Sequence, residues 1–195
     1  MEVSFLGGAG EVGRSAVLVD DSLLLDYGVL ASDPPQYPVQ TPDPDAVVVS
    51  HGHLDHAGAV PALLKGQRRP DVHWTPPTGE LTRLLASDTL KLYGGSPRCP
   101  FTDEHVARLG EVAHRHGYEE PVVIEAGGTT YEVTLFDAGH IPGSAHVLVD
   151  DGETRLLYTG DFHTDNQRLV AGTTARPNAD VVICESTYSD VTHDD

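Results

Sequence analysis

The sequence predicts an α/β domain, and three observations support this fold class. Many runs of strand length are rich in leucine and β-branched residues and are bounded by Gly, Asp or Pro. Longer stretches between them have the apolar spacing of helices. Several of the strand-like runs end in histidine, aspartate or glutamate. With 195 residues, the chain is long enough for one domain with a substantial core.

The predicted strands form two groups along the chain. The first group is VSFL (3–6), SAVLVD (15–20), SLLLD (22–26) and AVVVS (46–50). The second group is PVVIEA (121–126), TYEVTLFD (130–137), HVLV (146–149), TRLLYTGD (154–161) and DVVICES (180–186). Their length and their content of β-branched residues are typical of strands.

Three helices are predicted between the two groups of strands. The first two cover 57–65 and 79–92, and the second of these has Leu81, Leu84, Leu85 and Leu92 on one apolar stripe. The third is a charged surface helix over Glu104–Arg115, which follows a capping Thr102. We expect the histidines of this last segment to be solvent-exposed and to take no part in chemistry: His105, His114 and His116.

The chain is strongly acidic, with 30 Asp and Glu, 12 Lys and Arg, and a net charge of −18. Only two of the basic residues are lysines, Lys65 and Lys91. This composition favours a halophilic origin, because concentrated salt screens self-repulsion while charge maintains solubility. An acidic mesophilic protein is the alternative. Since no apolar run reaches transmembrane length and no signal-peptide pattern is present, we expect a cytoplasmic protein with no membrane partner and with Cys99 and Cys184 reduced.

The segment GAGEVG (8–13) matches the GxGxxG pattern of dinucleotide-binding folds and directly follows a predicted strand. That pattern also requires a helix after the third glycine and an acidic residue about 20 positions further on. Two strand-like runs follow here instead, and the candidate acid, Asp26, comes too early. Dinucleotide binding is therefore not predicted.

The most informative segment is VVVSHGHLDH (47–56), in which three histidines and an aspartate follow an apolar strand. These side chains are predicted to lie on a loop, because the next residues, AGAVPALL, have helical character. Neutral imidazole and carboxylate are favoured ligands of zinc. The i, i+2 spacing places His51 and His53 on one side of an extended segment, where they can bind one ion. Asp55 and His56 lie on the turn into the helix and are expected to point toward a second ion.

Further candidate ligands follow other predicted strands. His140 lies in a glycine-flanked loop after TYEVTLFD, and Asp161 ends LLYTGD with a carboxylate suited to bridging two cations. Asp26 ends LLLD and is predicted to accept a hydrogen bond that fixes the tautomer of a ligand histidine. Glu185 ends VVICE. Each residue alone is weak evidence, but together they predict a two-metal site at one edge of the sheet.

Five elements of the sequence together resemble the metallo-β-lactamase superfamily, specifically its β-CASP nuclease branch: Asp26, HGHLDH (51–56), AGHIPGSA (138–145), TGD (159–161) and ESTY (185–188). The segments FLGGAGEVGRSAVLV and LLLDYG resemble archaeal members related to the cleavage subunit of the mRNA 3′-end processing machinery. The resemblance covers nearly the whole chain, so residues 1–195 are expected to be the N-terminal portion of a metallo-β-lactamase domain. It implies a four-layer αββα sandwich with the metals at one edge of the paired sheets.

The resemblance also implies roles for the site residues. His51, His53 and His140 would hold one Zn²⁺, Asp55 and His56 would hold the other, and Asp161 would bridge the two. Asp55 would orient the attacking water, and Glu185 would orient an acid histidine, so both are expected to be catalytic. The implied function is a zinc-dependent ribonuclease that hydrolyses RNA phosphodiester bonds in RNA processing or decay.

The resemblance implies further residues beyond this sequence. Family members continue past ESTY into a helical β-CASP cap and return with two more histidines, one for the second zinc and one that protonates the leaving oxygen. We therefore expect an incomplete sandwich without the cap and the returning C-terminal segment, through which a homodimer would form, and low activity of the isolated chain. His193 cannot replace both histidines, and His163 is expected to face solvent.

Two other functions stay open at this point. A small-molecule hydrolase of the glyoxalase II or lactonase type shares HxHxDH, but the ESTY motif and the helical segment 79–116 favour a nuclease. The chain could also be a catalytically inactive metal-binding module. The net charge of −18 neither supports nor excludes RNA as a partner, because at about 1 M salt the screening length falls to about 3 Å.

Overall fold

The computed structural model describes residues 1–67 and 69–187 and contains two β-sheets packed face to face. Its strands are β1 (Val3–Gly7), β2 (Ala16–Val19), β3 (Leu23–Leu25), β4 (Ala46–Val48), β5 (Asp71–Trp74), β6 (Ala113–Arg115), β7 (Val122–Ala126), β8 (Thr129–Asp137), β9 (Ala145–Asp150), β10 (Arg155–Tyr158) and β11 (Val181–Ile183). Its helices are α1 (Leu54–Ala57), a 3-10 helix (Val60–Lys65), α2 (Pro76–Tyr93) and α3 (Asp103–Val112).

The first sheet has the strand order β1-β2-β3-β4-β5-β6, and the second has the order β11-β10-β9-β8-β7. Strands β3 to β6 run parallel to one another, as do β10 and β11, and the remaining neighbours are antiparallel. Residues that follow parallel strands meet at one edge of a sheet, which is where open α/β sheets bind their ligands. This topology brings the segments after β3 and β4 together.

Two apolar layers hold the elements in place. In β2, Val17 and Val19 face the second sheet, whereas Leu18 faces the helices, as the alternation of side chains along a strand requires. Within the described residues the helices pack on the first sheet and on one another. The described part of the chain therefore forms three of the four predicted layers, which agrees with the predicted α/β sandwich in incomplete form.

The predicted helix over Glu104–Arg115 is wrong at its C-terminal end. Helix α3 ends at Val112, and Ala113–Arg115 form β6, which pairs with β5. Strand β5 itself was not predicted. The open edge of β5 offers backbone hydrogen bonds to the residues after α3, and this tertiary contact outweighs the local helical pattern.

The predicted leucine stripe of α2 is also partly wrong. Leu84 is 57% exposed and Leu92 is 72% exposed. The buried face consists of small residues instead, among them Thr78, Thr82 and Ala86. Small side chains are needed there because α2 lies close to the sheet: a Cβ on Gly79 would approach the Trp74 ring nitrogen to 2.6 Å.

The histidines around α3 lie apart from the predicted metal ligands, but each has a polar partner. His105 Nδ1 accepts a hydrogen bond of 3.1 Å from the Thr102 backbone N–H and completes the helix cap. His114 Nε2 lies 3.1 Å from an Asp71 carboxylate oxygen. His116 Nε2 lies 2.9 Å from Nδ1 of His73, which is 8% exposed.

Candidate metal centre

The candidate ligands meet where strands of both sheets end. Asp26 directly follows β3, and the segment 51–56 follows β4 and leads through α1. Asp161 follows β10, and His140 lies in the loop between β8 and β9. A backbone hydrogen bond of 2.8 Å from the Ala145 N–H to the Ser50 carbonyl joins the two sheets next to the histidines.

Two glycines allow these loops to approach each other. Gly160 has a φ of 53°, in the left-handed region that favours glycine, and a Cβ there would come within 2.8 Å of the Ser50 side chain. Gly52, between the two ligand histidines, lies against α2, and a Cβ would come within 2.8 Å of the Leu81 Cβ. Larger residues at either position would push the ligand loops apart.

One group of candidate ligands consists of His51, His53, His140 and Asp161, whose ligand atoms lie within 4.8 Å of one another. His140 Nε2 lies 3.3 Å from His53 Nδ1. Asp161 Oδ2 lies 3.8 Å from Nε2 of both His51 and His140. The ligand atoms of a tetrahedral zinc with bonds of about 2.0–2.1 Å stand roughly 3.4 Å apart, so these separations suit one ion.

A second group consists of Asp55, His56 and Asp161, with ligand atoms again within 4.8 Å. His56 Nε2 lies 3.2 Å from Asp161 Oδ1. Asp161 therefore directs one carboxylate oxygen toward each group. A carboxylate in this position can bridge two cations.

Asp26 lies beneath both groups and is completely buried. Its carboxylate accepts hydrogen bonds from the Ser50 backbone N–H, the Ser50 hydroxyl, His56 Nδ1 and the Tyr158 hydroxyl, at 2.7, 2.7, 2.7 and 2.8 Å. With Nδ1 of His56 held by Asp26, Nε2 is the atom left for a metal.

The charges in the centre shift the protonation of the two buried histidines in opposite directions. Burial lowers the pKa of His51 well below its usual value, and the neighbouring histidines lower it further. Burial also acts to lower the pKa of His56, but the carboxylates of Asp26 and Asp161 outweigh it and raise this pKa to about 10. Burial acts to raise the pKa of Asp161, yet the hydrogen bond and charge of His56 leave it lowered.

The residues present fit a divalent metal. Within the described residues, Nε2 of His51 is a buried polar atom without a hydrogen-bond partner. Burying a polar atom without a partner normally destabilises the folded state by about 1–3 kcal/mol, and a metal ion would accept the lone pair of this nitrogen. The other donors of this group, two imidazoles and a carboxylate, are those that zinc sites use.

Glu185 and His163 lie near the centre but outside both ligand groups. Glu185 lines the same cavity, of about 1380 Å³, as His53, Asp55, His56, His140 and Asp161. Its carboxylate accepts a hydrogen bond of 2.9 Å from the Thr187 backbone N–H. His163 is exposed and also lines the cavity. Tyr188 of the ESTY motif and His193 lie outside the described residues.

Sequence reasoning missed three residues that support the centre. Ser50 and Tyr158 bind Asp26, and buried His146 makes a 2.9 Å hydrogen bond through Nδ1 to the carbonyl of Thr159, two residues before Asp161. Ser50 precedes HGH and Tyr158 precedes TGD, so their adjacency to ligand motifs was an available signal. His146 directly follows AGHIPGSA and gave the same signal, but its position at the start of a predicted strand favoured a structural role.

Comparison with known proteins identifies the family. The model of the metallo-beta-lactamase superfamily matches residues 9–184. The chain belongs to the metallo-β-lactamase superfamily. Its relatives include RNase aCSPSF2 of Saccharolobus solfataricus, which is 36% identical over 98% of this chain and 39% of the relative. Transcription termination factor FttA of Methanocaldococcus jannaschii is 34% identical over 96% of this chain and 31% of the relative.

A eukaryotic relative is similar to the same extent. Cleavage and polyadenylation specificity factor subunit 3 of Dictyostelium discoideum is 34% identical over 100% of this chain and 26% of the relative. These relatives are consistent with the β-CASP nuclease branch. The chain spans about a third of the length of the metallo-β-lactamase relatives it matches. Within the described residues, no helix is both long and apolar enough to cross a membrane.

Proposed function

We propose that this chain carries the metal-binding part of a zinc-dependent ribonuclease, which hydrolyses RNA phosphodiester bonds with two zinc ions. The observation that carries the proposal is the Asp161 carboxylate, one oxygen of which lies 3.8 Å from Nε2 of His51 and the other 3.2 Å from Nε2 of His56. The names of two relatives, RNase aCSPSF2 and the probable RNase MJ4 of Methanocaldococcus jannaschii, support RNA as the substrate class.

The proposed ligand roles follow from the two groups of side chains. His51, His53 and His140 would hold one zinc, Asp55 and His56 the other, and Asp161 both. Two bound zinc ions would supply Lewis-acid activation of a water and neutralise charge on the phosphate. The chain's own residues would do the positioning: Asp26 holds His56 through Nδ1, at 2.7 Å, so that Nε2 faces the centre.

Asp55 is the proposed residue for orienting the attacking water. Its carboxylate belongs to the second ligand group, lines the cavity and is partly exposed, so a water and a phosphodiester can reach it. Glu185 lines the same cavity and is proposed to orient a general acid. A positioned general acid typically contributes about 10²–10⁴ in rate.

The direct test is hydrolysis by the zinc-loaded chain in high salt. The substrates are a labelled single-stranded RNA, a thioester and a lactone, each with and without a chelator. We expect slow RNA cleavage that the chelator abolishes, in line with the low activity expected of this portion of the domain, and no turnover of the two small molecules. Turnover of the thioester or lactone alone would support the small-molecule hydrolase, and zinc binding without any turnover would support the inactive module.

Three accompanying predictions can be checked separately. Elemental analysis of the same preparation tests zinc against other divalent metals and the count of two ions. Sedimentation analysis of a longer chain that carries the returning C-terminal segment tests the expected homodimer. The halophilic origin and the cytoplasmic location stay predictions of the sequence, the first of which a thermal melt in salt can test.

A further inference from the structure

Tyr158 connects the two sheets directly beneath the candidate ligands. It is the last residue of β10 in the second sheet, and its hydroxyl donates a hydrogen bond of 2.8 Å to Oδ2 of Asp26, which follows β3 in the first sheet. The tyrosine is 6% exposed and the aspartate 0% exposed. Three residues after Tyr158 the chain reaches Asp161, the carboxylate common to both ligand groups.

The protons of this buried network can be assigned from its hydrogen bonds. Because a carboxylate can only accept, the groups that bond to Asp26 must all be donors, including the Ser50 hydroxyl at 2.7 Å and His56 Nδ1 at 2.7 Å. Ser50 Oγ has a single proton and gives it to Asp26, so it must accept from Nδ1 of His51 at 3.1 Å.

These proton positions determine which nitrogen is free to bind a metal in both ligand groups. With a proton on Nδ1, His51 directs the lone pair of Nε2 toward Asp161, and His56 likewise has only Nε2 left for a metal. One histidine belongs to each group, so the Asp26 carboxylate sets the ligand atom in both. Oδ2 of Asp26 accepts three of the bonds, and the only one that comes from the second sheet is that of Tyr158.

We propose that Tyr158 is a positioning residue of the metal centre: its hydroxyl fixes the Asp26 carboxylate, and through it the ring orientations of His56 and His51. This inference rests on the proposed metal-dependent function and deepens it. It also assigns a role to the hydrogen bond between the two sheets. This bond joins β10, which leads to Asp161, to the end of β3 next to the ligand histidines. Loss of the hydroxyl would leave Asp26 without the donor that comes from the strand of Asp161.

The chain provides a matched control in Tyr131. This residue lies on β8 of the second sheet, is 0% exposed, and donates a hydrogen bond of 2.8 Å to Oδ2 of Asp20, in the turn between β2 and β3. It therefore makes the same kind of cross-sheet bond at the other end of β3, away from the ligand groups. Removing either hydroxyl should cost similar stability, but only Tyr158 should affect the metal.

The experiment compares Tyr158→Phe and Tyr131→Phe with the wild-type chain in titrations with Zn²⁺. We expect Tyr158→Phe to weaken zinc binding by up to about tenfold, less than the roughly 10–100-fold usual for a group bonded directly to a ligand, because Tyr158 acts through Asp26. Tyr131→Phe should bind zinc like the wild type, while thermal melts show both variants destabilised. Wild-type affinity in Tyr158→Phe, or an equal loss in Tyr131→Phe, would overturn the proposal.

A second readout needs no metal. In ¹⁵N-resolved NMR spectra of the metal-free chain, the Nδ1 protons of His51 and His56 should give slowly exchanging signals in the wild type and in Tyr131→Phe. Tyr158→Phe should broaden or shift the His56 signal, and an unchanged signal would contradict the positioning role. If the wild type bound no zinc, the proposed function would fail while this comparison still decided the role of Tyr158.

Discussion

Nε2 of His56 lies 3.2 Å from Oδ1 of Asp161. The two residues come from different sheets, since His56 follows β4 and Asp161 follows β10. The second oxygen of the same carboxylate lies 3.8 Å from Nε2 of His51, so a single side chain connects two groups of candidate ligands. The proposed two-metal centre depends on that connection.

In an active, longer form of the enzyme, replacing the candidate ligands should greatly lower activity without unfolding the protein. We expect Asp55→Ala there to lower kcat for RNA cleavage by about 10²–10⁴-fold, since it removes a group that acts in the transition state. His56→Ala should do at least as much, because it also removes a ligand.

The control for these two variants is His114→Ala. The His114 side chain is 49% exposed and pairs with Asp71 at the edge of the first sheet. Its replacement should leave kcat unchanged, and circular dichroism should show all three variants folded. A loss of activity in His114→Ala as large as in Asp55→Ala would place the reactive site elsewhere.

Zinc affinity of the second ligand group should rise with pH. The pKa of His56 is raised to about 10 in the metal-free chain, so at neutral pH a metal must displace the proton on Nε2. The apparent affinity of the Asp55, His56 and Asp161 group should therefore rise about tenfold per pH unit below that pKa. His51 has a lowered pKa and is already neutral, so its binding should release no proton.

Calorimetry of zinc binding in buffers of different ionisation enthalpy measures these protons. At pH 7.5, one of the two binding steps should release close to one proton per ion from His56, and His56→Gln should eliminate that proton. Binding that releases no proton in the wild type would contradict the prediction that zinc displaces a proton from His56.

The buried His73 should make the fold sensitive to acid. It packs against His114 and His116, with Asp71 nearby, and burial followed by the charges of these histidines lowers its pKa to about 4. When the pKa of a group is lower in the folded than in the unfolded state, the group favours the native state at pH values above its pKa in the unfolded state, here near 6.5. This contribution to stability is lost as pH falls toward 4.

Chemical denaturation at pH 7 and pH 5 tests the direction of this pH dependence of stability. Relative to His73→Gln, the free energy of unfolding of the wild type should fall by about 2 kcal/mol between the two pH values. Both proteins contain His56, so subtracting the value for His73→Gln from that for the wild type removes the contribution of His56 to the pH dependence of stability. That contribution has the opposite sign in the metal-free chain. Parallel pH profiles for wild type and His73→Gln would refute the assignment.

Salt should stabilise the chain. Its net charge of −18 produces self-repulsion that dilute buffer leaves unscreened, whereas molar salt reduces the screening length to about 3 Å. The melting temperature should therefore rise between dilute buffer and molar KCl. A melting temperature that is flat or falls with KCl would remove the halophilic interpretation.

The sequence predicted which side chains cluster at the ends of the strands better than it predicted the helices. HGHLDH follows a strand and contains the residue types that bind zinc, so its chemistry was visible locally. His140 and Asp161 could be added because strand ends converge at one edge of a sheet. These signals depend on residue type and on strand position, both of which can be read from a single sequence.

The misassigned elements depend on contacts that a single sequence does not contain. Ala113–Arg115 continue a helical pattern but pair with β5, because that strand offers an open edge. Leu84 was predicted to be buried, whereas Thr82 occupies the buried face of α2 because the helix packs closely on its neighbours. Tyr158 lies next to the TGD motif, but its bond to Asp26 could not be predicted, since Asp26 is 132 residues away.

The central claim is that Asp161 joins two zinc ions in one centre, and an anomalous difference map of the zinc-loaded crystal tests it most directly. The account predicts two peaks about 3.5–4 Å apart. One should lie beside the nitrogens of His51, His53 and His140, the other beside Asp55 and His56, and both next to the Asp161 carboxylate. A map with no peak at these residues, or with a single peak that Asp161 does not contact, would contradict the claim.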